Sequence, residues 1–206
     1  MNLFEILASK FSSSPHHKSE TVEIRAGGRF EYMLGLDMKI CTHSSEVSTE
    51  EINQLSHLLA DSISQGSSIG FLNPTPLTEL GDFCRSELEK LHHQSFIILA
   101  RLDNLIVGTV IISREQRANG RHRAELRKLM VASTHQRKGI GSRLEQKACL
   151  HSQQQGITLL YLDSATDFLV AETYEKWGWT RVGSIPNYAT DASGSLVATT
   201  YFYKEL

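Results

Sequence analysis

Leu129-Met130-Val131-Ala132-Ser133-Thr134-His135-Gln136-Arg137-Lys138-Gly139-Ile140-Gly141-Ser142-Arg143-Leu144 runs from an apolar strand into a helix through a turn that holds two glycines. Glycine lets a backbone come close to a ligand, and the free amides at a helix start carry partial positive charge that favours phosphate oxygens. Arg137, Lys138 and Arg143 add full charges around the same point. That chemistry suits a diphosphate. The spacing is not that of a G-x-x-x-x-G-K-[ST] phosphate loop. Nor is it G-x-G-x-x-G, because several strands precede the turn and the third glycine is missing. From the residues alone the reading is a phosphate at a helix N-terminus, weighed against an ordinary glycine-containing turn.

The neighbouring segments place this turn in an alternating chain. Upstream, Phe96 to Arg101 and Leu105 to Ser113 are two apolar runs separated by Leu102-Asp103-Asn104, the signal of an antiparallel hairpin. The loop from Arg114 to Arg121 leads into a third strand, Ala124 to Val131. Downstream, a helix is expected to about Gln155, then a strand from Ile157 to Asp163, a helix to about Trp177, and strands near Trp179 to Gly183 and Val197 to Tyr203. Antiparallel strands first and βαβ units later predict an α+β or mixed α/β fold.

Nearer the N-terminus, Met38 and Ile40 alternate with polar neighbours in a short strand. Ser48-Thr49-Glu50-Glu51 reads as a capping box, with Ile52, Leu55, Leu58, Leu59 and Ile63 as the buried stripe and Gly66 as the helix stop. A second helix follows Pro76, using Leu77, Leu80, Cys84, Leu88 and Leu91. Between the two helices, Gly66 to Pro74 displays large apolar side chains: either a lid over a substrate, or a connection that tucks Phe71 into the core. Residues 1–36 read as an N-terminal extension, with the flexible run Ser12 to His17 and a short amphipathic turn carrying Phe4, Leu7 and Phe11; residues 37–206 read as the folded domain.

Bulk properties narrow the classes. The 206 residues suffice for one well-filled core, and 21 basic against 23 acidic side chains argue against general polyanion binding. Charge is nevertheless uneven: Arg114 to Lys147 holds ten Arg or Lys and three Glu, a local +7 that leaves −9 for the rest. That asymmetry points to an anion met by the middle of the chain or to a solvated basic face. Cys41, Cys84 and Cys149 form no C-x-x-C pattern, and the nine His show no metal-ligand spacing, so no disulfide framework and no metal are expected. The first 20 residues contain no secretory or mitochondrial pattern and no apolar run spans a membrane, which predicts a cytoplasmic protein.

A second motif stands about 38 residues after Gln136: Tyr174-Glu175-Lys176-Trp177-Gly178-Trp179. The turn resembles motif A of the GNAT acetyltransferases, Q/R-x-x-G-x-G/A, and the second stretch resembles their motif B, Y-x-x-x-G-F/Y. The chain is therefore identified as a GNAT member over roughly residues 37–206. It is most similar to the tabtoxin-resistance type, judged by Ser68-Ile69-Gly70-Phe71, Ala124 to Val131, Leu162-Asp163, Arg181 to Tyr188 and Tyr201 to Lys204.

The resemblance implies a mostly antiparallel twisted sheet with a parallel pair at an acetyl-CoA cleft, flanked by helices. It implies acetyl-CoA as co-substrate, gripped by Gln136, Arg137, Lys138, Gly139, Ile140, Gly141 and Ser142, with Leu129, Met130 and Val131 along the pantetheine arm. Gly70 and Phe71 are implied at the acceptor. Asp167 stands where many members carry a cofactor-binding Asn, and it is not assigned as a ligand.

Acetyl transfer to an amine needs the ammonium deprotonated, an oxyanion stabilised and the thiolate protonated. The resemblance puts Glu125 and Asp163 at the deprotonating positions and Tyr174 at the general acid. Without it, Glu125 also reads as a solvent-facing strand carboxylate, Asp163 as an N-cap, and Tyr174 as a core aromatic. The expected acceptor is a small primary amine, a toxin or amino-acid derivative. The alternatives are a protein or peptide acceptor, or a non-catalytic acyl-CoA sensor. A cleft closed by residues 66–74 would favour the small acceptor, and an open groove between that loop and residues 187–194 the peptide. The expected partners include no nucleic acid and no membrane, with the protein a monomer or homodimer.

Overall fold

The computed structural model describes residues 35–91, 95–166 and 168–206, all within one compact unit, Tyr32–Leu206. The readings for residues 1–34 and for Asp167 lie outside the described residues. Seven strands form one sheet in the order β1-β2-β3-β4-β5-β7-β6. They are β1 Asp37–Cys41, β2 Ser95–Leu102, β3 Leu105–Arg114, β4 Arg123–Val131, β5 Leu159–Ala165, β6 Thr180–Thr190 and β7 Leu196–Glu205. The helices are α1 Thr49–Ser64, α2 Leu77–Glu89, α3 Ile140–Gln154 and α4 Phe168–Lys176. The β4–β5 pair is parallel, and every other neighbouring pair is antiparallel. The mixed α/β sheet with one parallel pair is the expected architecture.

Local chemistry accounts for the elements. Ser48 Oγ accepts from the Glu51 amide at 3.1 Å and Glu51 accepts from the Ser48 amide at 2.8 Å, so the predicted capping box starts α1. Asp103 and Asn104 both adopt left-handed backbone, φ 50° and 66°, which is the two-residue turn that joins twisted strands without splaying them.

The central strands are covered on both faces, which is why they read as continuous apolar runs rather than alternating ones. On one face Ile97, Leu99, Ile111 and Met130 meet Leu55, Leu58 and Leu59 of α1 and Leu80, Cys84 and Leu88 of α2. On the other, Phe96, Ile98, Val110 and Ile112 meet Leu144 and Ala148 of α3, with Leu160, Leu162 and Phe202. Fully burying a side chain of this size contributes about 2 kcal/mol.

Three boundaries differ from expectation. β5 is displaced toward its C-terminus, so Asp163 sits within the strand rather than at its end, and it is not an N-cap. β6 and β7 are longer than the runs predicted: β6 is an edge strand, exposed along nearly all its length, and its Ser184 to Thr190 part, which pairs with β7, carries no apolar alternation. Among the described residues, no helix is long and apolar enough to cross a membrane.

Candidate active site

At the head of α3, the backbone turns through two left-handed residues and leaves the helix end uncapped. Arg137 and Gly139 both take left-handed backbone, φ 59° and 84°, and Gly139 is the N-cap residue with no side chain closing the helix. The first turn closes with the Arg143 amide donating to the Gly139 carbonyl at 3.2 Å. The amides of Ile140, Gly141 and Ser142 therefore have no acceptor among the described residues, and they point out of the helix end where its dipole is positive. A Cβ at Gly139 would meet open space, while one at Gly141 would stand 3.4 Å from the Trp177 ring. Gly139 thus keeps the approach clear, and Gly141 lets α3 lie against the second motif.

The preceding loop is held from two sides. Asp61 of α1 accepts from the Ser133 amide at 2.7 Å and from its hydroxyl at 2.8 Å. Gln136 donates to the Val131 carbonyl at 3.2 Å, and Lys138 to the Thr134 carbonyl at 2.9 Å.

The opening beside this loop is made by the sheet itself. β4 and β5 pair only from Arg123 to Glu125 against Leu159 to Tyr161. Beyond that point the register of β4 on β3 slips between Thr109 and Ile111, with Lys128 at φ 52°. Such a bulge turns the strand away from its neighbour. The strands diverge, and a cavity of about 470 Å³ lies between them, bordered by Glu125, Leu126, Arg127, Lys128 and Leu129 of β4, by Asp163, Ser164 and Ala165 of β5, and by Tyr174. Residues Ser68 to Leu72 and Ala189–Thr190 complete it.

Three candidate catalytic residues from three elements share this cavity. Glu125 is half-buried, and its carboxyl is raised above its ordinary range, first by burial and then by the nearby Asp163 carboxylate. Asp163 is exposed, and its cross-strand partner on β7 is Tyr201. The Tyr201 hydroxyl is pushed up to about 12, first by Tyr188, whose ring stands edge-on to it at 5.9 Å, and then by burial. Tyr174 lies against Trp177, Trp179 and Phe202, with ring centroids 5.8, 5.9 and 5.5 Å away. Burial, then the Glu145 and Asp163 charges, hold its hydroxyl far above the usual range, so the phenol keeps its proton at neutral pH.

Beneath this aromatic group, buried Glu145 of α3 accepts from Trp179 Nε1 at 2.9 Å and Lys204 Nζ at 2.8 Å. Lys204 also donates to the Trp177 carbonyl at 2.7 Å, just past the end of α4.

The remaining predicted residues divide. Leu129, Gly70 and Phe71 border the cavity. Val131 lies against the head of α3, its Cγ2 3.7 Å from where a Gly141 Cβ would stand. The Met130 side chain is 7% exposed and turned into the core against α1 and α2, so that strand offers its backbone there.

Phe71 is tucked against the core that α1 and α2 cover, as one of the two readings of its loop has it. Its ring packs edge-on to Phe83 at 5.0 Å while the loop roofs the cavity. The sequence assigns no role to Arg127, Lys128, Tyr188 or Tyr201, although all four stand in the stretches that carry the resemblance, because nothing local marks what each side chain meets. Lys128 Nζ donates to the Ile69 carbonyl, and Arg127 pairs with buried Glu87 of α2.

The model of the acetyltransferase (GNAT) family matches residues 61–179. Among solved structures, a ribosomal-protein-alanine N-acetyltransferase from Brucella melitensis superposes with TM-score 0.65 at 15% identity, covering 82% of this chain and 99% of that one. An acetyltransferase of the GNAT family from Streptococcus pneumoniae gives TM-score 0.62 at 21% identity, with 82% and 100% covered. A putative acetyltransferase from Salmonella typhimurium, solved with its cofactor acetyl-CoA, gives 0.65 at 12%, with 82% and 94% covered. At these identities the likeness is one of fold.

Proposed function

The chain belongs to the acetyltransferase (GNAT) family, and from that premise we propose that it moves the acetyl group of acetyl-CoA onto the primary amine of a small molecule, as a cytoplasmic enzyme nearest to the tabtoxin-resistance type. One observation carries the reading: the divergence of β4 and β5 past Glu125 and Tyr161 opens a cavity that gathers Glu125, Asp163 and Tyr174. The unpaired amides from Ile140 to Ser142 and the open space over Gly139 fit a diphosphate. Bound there, acetyl-CoA supplies the acetyl group and leaves as the thiol.

The chain's own residues would do the rest. Asp163 and Glu125 draw an ammonium between them, and Glu125, with its raised carboxyl, takes the proton directly or through a water. Tyr174 holds a proton that it can deliver to the departing sulfur. The groove between the 66–74 loop and the 187–194 segment is bridged: Ser68 Oγ donates to the Thr190 carbonyl at 2.7 Å, and the Asn73 amide to the Ala192 carbonyl at 2.8 Å. That closure supports a small acceptor over a peptide.

The test is thiol release from acetyl-CoA across a panel of small amines and N-terminal peptides, together with calorimetry of coenzyme A. Turnover of small amines and binding that Gly139→Glu abolishes are expected; the new carboxylate would enter the anion's space. Turnover of peptides alone, or undiminished binding by the variant, would overturn the reading.

A further inference from the structure

Lys128 and Arg127 border the cavity with charges that the proposed chemistry does not use, and Lys128 is the one without an ion-pair partner among the described residues. Its ammonium is largely removed from water at the β4 bulge, beneath Gly70, where a Cβ would come within 3.8 Å of Nζ. It donates to the Ile69 carbonyl and lies over the faces of Phe71 and Phe83, 6.0 and 5.4 Å from their centroids. Among the described residues it forms no ion pair, whereas neighbouring Arg127 is answered by Glu87. A cation in such a place is costly unless something opposes its charge. Burial and the Arg127 charge both press Lys128 toward its neutral form, with Asp163 and Glu125 opposing them only as lesser influences. Those two carboxylates are also the groups that an incoming ammonium would claim.

We propose, resting on the small-amine reading above, that Lys128 is a specificity-determining residue and that the acceptor is a zwitterion, carrying an acid group beside the amine that is acetylated. The amine meets Glu125 and Asp163, and the acid group meets the Lys128 ammonium under the Ser68 to Leu72 loop. The cavity thereby offers two negative charges and one positive to a ligand of opposite pattern. A second cationic group on the acceptor would be repelled at the same point. A neutral group in the acid's place would leave the ammonium unanswered and lose a charge-assisted hydrogen bond.

Matched acceptors separate this from the general reading. Leucine, leucinamide and 3-methylbutylamine form one series; phenylalanine, phenylalaninamide and 2-phenylethylamine form another. Within a series that is turned over, the zwitterion should exceed its amide and its decarboxylated amine in kcat/KM by about tenfold or more, the worth of one hydrogen bond to a charged group. Lys128→Met should bring the zwitterion-to-amide ratio close to one, and Lys128→Arg should restore part of it. Should Lys128→Met not fold, the wild-type ratios alone decide. Ratios near one in the wild type, or a Lys128→Met variant that lowers every acceptor alike and keeps the ratio, would overturn this inference while the small-amine reading stands. No turnover of any of the six, with coenzyme A still bound, would overturn both.

Discussion

Glu125 and Asp163 are both strand carboxylates, yet burial and position give them different parts. Glu125 is half-buried and shifted upward, whereas Asp163 is exposed. A carboxyl raised in the folded state stabilises the fold only while neutral. Its contribution is fully present below the ordinary glutamate pKa and is lost as pH rises through the folded value. Glu125→Gln should therefore melt above the wild type at neutral and alkaline pH, the gap closing below about pH 4. Its kcat/KM should fall about 10²-fold, as should that of Asp163→Asn, with coenzyme A affinity retained in both. Differential scanning calorimetry across pH and steady-state kinetics check the pair of claims. Wild-type activity in either variant would remove that residue from the chemistry. In the sequence Glu125 was a candidate only through its neighbours in a motif, since a carboxylate on a strand carries no mark of which face it takes or what lies opposite.

The second motif is more than a carrier for Tyr174. Trp179 Nε1, Lys204 Nζ and the Cys149 thiol all reach Glu145, a carboxylate 1% exposed on α3, so the segment after α4 is tied to α3. Burial first and Glu145 second push the Cys149 thiol up to about 12, which keeps it an inert core group. Removing one partner of a buried ion pair leaves the other uncompensated. Glu145→Ala should cost about 3 kcal/mol of stability, read as a lower midpoint in urea unfolding with an unchanged slope. An unchanged midpoint would show that the network contributes nothing.

Legibility at this scale was uneven. The α1 capping box, the β2–β3 turn and the α3 turn are local patterns and were read correctly. β6 was read too short, because an edge strand needs no apolar stripe to pair along one side.

Across the whole molecule, the cavity is assembled by segments far apart in the chain, among them the loop before α2, the bulge of β4 and the end of β6. Ser68 Oγ on the Thr190 carbonyl spans 122 residues and closes the roof. Ser68→Ala should weaken closure by about 1 kcal/mol, seen as a roughly fivefold loss of kcat/KM for the acceptor with the KM for acetyl-CoA unchanged. Equal loss toward both substrates would mean that the contact supports the fold rather than the roof. By itself the chain order of residues determined the alternation of strands and helices, the glycine turn at the head of α3 and the Tyr174 motif, because periodicity, caps and left-handed turns are set by neighbours a few positions apart. Tertiary structure alone decided that β4 and β5 part company after Glu125, that Lys128 lies under Gly70, and that Glu145 anchors the second motif. A bulge, a buried charge and a long-range hydrogen bond each depend on what another segment brings to the same place, and no local pattern encodes that partner.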